Sequence, residues 1–148
     1  MTTRRVEGFS KLAVMAIIAS IILLVVCVFV ASLFVRQSQV DSASAVAQEI
    51  VNDLESGDVN ESIDLLASSI TDDSSTYYTW IMWSTAFSSN DIAIEQPATS
   101  VDYSFSPIDV FSGSKPVSFT YATSSDLSIK LILQSEESGW VLVDYEAL

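Results

Sequence analysis

Two carboxylates stand beside phenols in the C-terminal part of this chain. Asp102 precedes Tyr103, and Asp144 precedes Tyr145, with Tyr121 between them in sequence. A carboxylate works as a general base near neutral pH when an apolar pocket shifts its pKa. Strand alternation separates the two candidates. Asp102 points opposite Tyr103, towards the wet side, whereas Asp144 shares a side with Trp140 and Leu142 and is expected to be semi-buried. Phe105, Phe119, Tyr121 and Trp140 read first as core; with Asp144 they are also the candidate lining of a ligand pocket.

Other chemistries are excluded or weak. The chain has no histidine, which removes His-ligated metals, Ser–His–Asp triads and Cys–His pairs. Its single cysteine, Cys27, cannot form a disulfide within one chain and lies in an apolar run, where it reads as a small hydrophobe. Asp72 and Asp73 offer the oxygens calcium prefers but lack the spacing of a calcium loop, so a solvated loop is expected. Asn60–Glu61–Ser62 is a glycosylation sequon, although Glu61 already has a local role as a capping residue. No cofactor is expected, and a non-catalytic protein is the first reading.

These residues must be positioned by a chain of 148 residues that begins with a membrane signal. Residues 12–35 carry no charge, and sixteen of them are Leu, Ile, Val or Phe. As a helix they extend about 36 Å, enough to cross a hydrocarbon core of roughly 30 Å. Insertion of those sixteen gains on the order of −5 to −10 kcal/mol. Arg4, Arg5 and Lys11 precede the run and only Arg36 follows closely, which predicts a cytoplasmic N-terminus and a C-terminal part outside the cell membrane. The expected division is a cytoplasmic 1–11, a transmembrane helix at 12–35, a linker at 36–41 and an extracytoplasmic domain at 42–148.

The sequence offers two processing alternatives. The "ASA" at 43–45 has the form of a signal-peptidase site, but the run is longer than a signal core and the site lies well beyond it, which favours an uncleaved anchor. "RRVEGF" with Gly8 before Phe9 resembles a prepilin cleavage site, though the glutamate usual at the fifth position after the cut is replaced by Ala13.

Beyond residue 36 there are two lysines and 18 acidic residues, a net charge of −16. So acidic a surface repels nucleic acid. The bilayer, through residues 12–35, is the expected partner, with a protein partner or a second copy besides.

Ala43, Val46, Ala47, Ile50, Val51 and Leu54 recur at helical spacing. Gly57 suits a helix stop, and Asp58 with Glu61 suits a capping box for a second helix with Val59, Ile63, Leu66 and Ile70 as its apolar stripe. Residues 77–87 are ambiguous: Tyr77, Trp80, Ile81, Ser84 and Phe87 suit a third helix, which is the reading preferred, while the dense aromatics also suit a buried strand. From residue 91 the period becomes two: 91–96, then Val101, Tyr103 and Phe105, then Val117, Phe119 and Tyr121, then Leu127, Ile129, Leu131 and Leu133, and finally Val141, Val143 and Tyr145. The expected fold is α+β, a transmembrane helix followed by two or three helices packed on a curved antiparallel sheet of four to five strands.

This layout, with "LESGDVNESIDLL" as an early helix pair and "GWVLVDYE" as a closing strand, resembles the nuclear transport factor 2-like superfamily, cystatin-like α+β cones. It is similar in particular to small membrane-anchored bacterial members of unknown function. The resemblance covers roughly residues 40–148. It implies a cone that often encloses a pocket, hosting binding modules, dimerisation domains and, in some members, enzymes with an Asp base and a Tyr or acidic hydrogen-bond donor. The fold alone selects none of these.

Overall fold

The computed structural model describes residues 11–104 and 115–148. Helix α1 runs without a break over Lys11–Ser56. Neither glycine nor proline occurs between Gly8 and Gly57, so nothing in that stretch opposes helix propagation. At 46 residues it is about 69 Å long. Residues 36–41, expected as a linker, are therefore helical. Their polar side chains satisfy themselves along the helix: Gln37 Nε2 donates to Asp41 Oδ1 (2.7 Å) and Ser42 Oγ to the Ser38 carbonyl (2.8 Å).

Gly57 ends α1 with φ +74°, and its N–H donates to the Asp53 carbonyl (2.9 Å). A Cβ there would lie 2.6 Å from Ser88 Oγ, so a side chain at this position is opposed by both backbone and space. The expected second long helix does not form. Short helix α2 covers Val59–Ser62, a 3₁₀ turn covers Ile63–Leu65, and α3 covers Ser68–Thr71. Asp58 makes no side-chain cap. Between the turn and α3, Leu66 is extended and bridges Leu142 in parallel, while the Ala67 N–H donates to the Leu142 carbonyl (2.9 Å). This segment pairs with an edge strand that would otherwise present bare backbone groups, a gain that outweighs helical continuity.

Helix α4 spans Ser74–Ser89, the helical one of the two readings this stretch allows, and buries Trp80, Ser84 and Phe87. Among the described residues four strands follow: β1 Ser100–Asp102, β2 Val117–Ala122, β3 Ser128–Glu136 and β4 Gly139–Ala147. They form one antiparallel sheet in the order β1–β2–β3–β4. Residues 91–96 contribute only a bridge from Ile94 to Thr123, and Leu127 lies exposed ahead of β3 rather than in it.

Val117, Phe119 and Tyr121 of β2 and Ile129, Leu131 and Leu133 of β3 all face the helices and are buried. Ala43, Ala47, Ile50, Val51 and Leu54 of α1 meet them from above, with Trp80 and Phe87 of α4 in the same core. The apolar side of β2 and β3 is thus covered by the helices that precede it, whereas Val101 of β1, expected in the same apolar alternation, stays 47 % exposed. The most apolar window of α1 has none of its residues buried among the described residues. Among the described residues α1 is the one helix long and apolar enough to cross a membrane.

Candidate functional site

The candidate pocket residues scatter. Phe119 and Tyr121 point inward from β2 and are buried. Trp140 is half-buried against the edge of the core. Phe105 lies outside the described residues. Asp144 turns away from the other three, because β4 carries a bulge: Asp144 pairs with Ile132 and Leu142 with Leu133, leaving Val143 as the extra residue. One extra residue swaps every later side chain to the opposite side. Leu142 and Tyr145 therefore both face the helices, while Asp144 faces solvent and accepts only the neighbouring Tyr145 N–H (2.8 Å). The expectation of a semi-buried Asp144 beside Trp140 and Leu142 is corrected by that single insertion. Asp102 is exposed, as alternation predicts.

The bulge instead brings Tyr145 to a position that alternation alone does not flag. Its hydroxyl donates to the Thr76 carbonyl (2.9 Å), joining β4 to the first turn of α4. Its ring sits 5.1 Å from Trp80, edge-on, and 5.1 Å from Trp83. Such aromatic contacts add roughly 0.5–1.5 kcal/mol each beyond area burial. Trp80 in turn donates to Ser62 Oγ (3.4 Å). Trp80, Phe119, Ile50, Leu54, Leu131 and Leu133 are fully buried and occupy the space between sheet and helices. Burial holds the Tyr121 hydroxyl up to about 12, and burial followed by the Asp144 charge raises that of Tyr145. Both phenols are protonated donors at neutral pH, not bases.

Two clefts open at the flanks. One, about 300 Å³, is lined by Ser44, Gln48, Gln96, Pro97, Ala98 and the rim of Tyr121. Its polar groups are neutral amides bound to one another: Gln48 Nε2 donates to Gln96 Oε1 (2.7 Å) and Gln96 Nε2 to Asn52 Oδ1 (3.1 Å). Glu55 extends this polar edge of α1 by accepting the Ile94 N–H (2.6 Å). Sequence reading leaves Gln48, Asn52 and Glu55 on the solvent side of α1; they clamp the 94–96 segment to it. The second cleft, about 320 Å³, is lined by Leu33, Arg36, Gln37, Val40, Val101 and Tyr103, and the Tyr103 hydroxyl donates to Gln39 Oε1 above it. Neither of these two clefts is lined by a carboxylate, the side chain a general base would need; a smaller one, about 110 Å³, is lined by Glu55 and Asp91 with Phe87, Ile92 and Ala93.

Two further carboxylates behave oppositely. Asp53 is only 7 % exposed, and its Oδ2 has no hydrogen-bond partner among the described residues. Desolvation, then the charges of Glu61, Glu49 and Asp58, raise its pKa. Asp73, expected in a calcium-like or solvated loop, is the N-cap of α4. It accepts from the Ser75 N–H (3.2 Å) and from the Ser75 and Thr76 hydroxyls. The Thr76 and Ser75 hydrogen bonds hold its pKa below the ordinary carboxylate value. Among the described residues no cluster of three or more His, Cys, Asp or Glu is arranged to hold a metal ion. No protein-family model, no curated protein and no solved structure matches the chain.

Proposed function

We propose that this chain is a single-pass membrane protein whose C-terminal domain, held outside the cell, is a non-catalytic interaction module. One observation carries the reading. The bare apolar half of α1 and the helix at the centre of the core are the same unbroken helix. An apolar surface of that length has no cover among the described residues, and lipid supplies it. A domain fused to the span through continuous helix, rather than through a flexible linker, keeps a fixed distance from the bilayer. The large side chains buried between sheet and helices, and the absence of a carboxylate from the two clefts along α1, support recognition of a partner over turnover of a substrate. The order of helices followed by a meander supports the proposed likeness to the nuclear transport factor 2-like layout, here with its interior packed.

Alkaline carbonate extraction of membranes from expressing cells tests the anchor, and protease protection tests its orientation. The expected result is a chain retained in the membrane pellet, with residues 42–148 digested only from the outer side. Release into the supernatant overturns the reading.

The unbroken α1 also favours a second reading, a pilin-like surface subunit, because a bare apolar half-helix on a compact head can pack against copies of itself as well as against lipid. Mass spectrometry of the mature N-terminus separates the two: a chain beginning at Phe9 supports the subunit, and one retaining Gly8 removes it.

A further inference from the structure

Helix α4 presents two apolar sides. Trp80, Ser84 and Phe87 face the core, whereas Tyr78 and Met82 stand 64 % and 59 % exposed on the opposite side. Thr85, Ala86 and Ser89 continue that outer side and leave a shallow hollow next to the two large residues. Tyr and Met are among the residue types enriched at interface centres, and here both stand exposed with no charged residue beside them on the helix.

Charge selects the occupant. Residues 74–90 contain no charged residue, the longest such stretch beyond the apolar run, in a segment that otherwise carries 18 acidic residues against two lysines. Two copies of so acidic a domain repel over most of their surfaces. They approach without that cost where neither brings a carboxylate. A basic partner gains nothing from this face, since every attractive charge lies elsewhere.

We propose that the outer side of α4 is the contact between two copies of this chain, packed antiparallel about a two-fold axis at Met82. This rests on the interaction reading above and names its partner. In that arrangement residue 82 − k of one copy meets residue 82 + k of the other. Tyr78 then lies over the hollow at Ala86, Thr79 meets Thr85 and Ser75 meets Ser89. Met82 meets its own copy on the axis, Tyr78 opposes the small Ala86, and hydroxyl opposes hydroxyl, so the side is complementary to itself. Shared anchoring in one membrane raises the effective concentration of the two domains.

The test uses the full chain, purified in detergent, with the only native thiol removed by C27A. A residue on a two-fold axis meets its own copy, so the M82C chain is expected to form a disulfide-linked dimer at least about tenfold faster than an E137C chain, whose substitution sits at the exposed β3–β4 turn. In parallel, M82E is expected to convert the dimer to monomer by light scattering while leaving the far-ultraviolet circular dichroism unchanged. Equal cross-linking at 82 and 137, or an oligomer that M82E leaves intact, overturns the proposal; the latter outcome would place the contact in α1. A misfolded M82E chain leaves the cross-linking rates to decide. Carbonate extraction is independent of both measurements, so a chain that cross-links at 82 yet leaves the membrane refutes only the anchor.

Discussion

The two halves of α1 are equally helical and have opposite fates. In residues 12–35 apolar side chains surround the helix, and none of the most apolar window is covered by protein. In residues 43–54 they occupy one stripe, Ala43, Ala47, Ile50, Val51 and Leu54, and that stripe is the roof of the sheet. Backbone hydrogen bonding is the same in both. What differs is the distribution of side chains around the axis, which decides whether a helix meets lipid on all sides or one protein surface on one side.

The largest effect that separates the halves comes from the residue on which the covered one depends. Trp80→Ala removes the largest buried side chain of the core together with its contact to Tyr145, and it is expected to destabilise the domain by about 3–5 kcal/mol. Leu24→Ala, in the bare half, is expected to leave domain unfolding unchanged. Urea unfolding of the full chain in detergent, followed by tryptophan fluorescence for L24A and by circular dichroism for both variants, checks the pair. Equal losses would erase the distinction between the halves.

Leu24→Arg reverses the sensitivities. It is expected to make insertion less favourable by about 3–4 kcal/mol while leaving domain unfolding untouched. The fraction of chain resisting carbonate extraction measures it, and a full loss of domain structure in the same variant would contradict the independence of the two halves.

Gly57→Ala probes the end of the covered half. A left-handed alanine costs roughly 1–2 kcal/mol, and the approach of Ser88 adds to that. Gly57→Ala combined with Ser88→Gly is expected to recover only the steric part. A thermal melt showing no loss for G57A alone would mean that the corner relaxes.

The smallest effect is a pH dependence with two opposing parts. Asp53 has a raised folded pKa, so the folded state holds its proton more tightly than the unfolded state. Its contribution is most favourable below the ordinary value of 3.8 and declines as pH rises through the folded pKa. Asp73 has a lowered folded pKa, so its contribution is present above 3.8 and is lost as pH falls through the folded value. Asp53→Asn is therefore expected to raise the Tm at pH 7 relative to the native chain, with the difference shrinking towards pH 4. Asp73→Ala is expected to lower the Tm at pH 7, with the difference shrinking on acidification. Parallel Tm profiles for native chain and variants between pH 3 and pH 8 would refute both assignments.

Several elements were legible because their signals are local. Trp80, Ser84 and Phe87 mark the inner side of α4 by spacing alone, and Val117, Phe119 and Tyr121 alternate as a half-buried strand must. Leu66 misleads at helical spacing from Ile63 and Ile70, because its partner is the Leu142 backbone 76 positions later, invisible to any short window. The polar residues 36–41 look like a linker because polarity suggests solvent, yet a solvated helix lacking glycine and proline has no reason to stop there. Of the candidate site, Phe119 and Tyr121 were correctly placed inward; Asp144 was not, since the bulge at Val143 is defined only relative to β3.

Composition and spacing by themselves determined that an uninterrupted apolar run precedes a strongly acidic segment, that histidine chemistry is absent, and that amphipathic helices precede an alternating meander. These are sums or periods along the chain, and they persist whatever that chain touches. Only the tertiary structure decided which strand holds an extra residue, which carboxylate keeps a buried oxygen without a partner among the described residues, and that the outer side of α4 is exposed. Each of those depends on a surface distant in sequence, and burial is a property of two surfaces meeting rather than of either one alone.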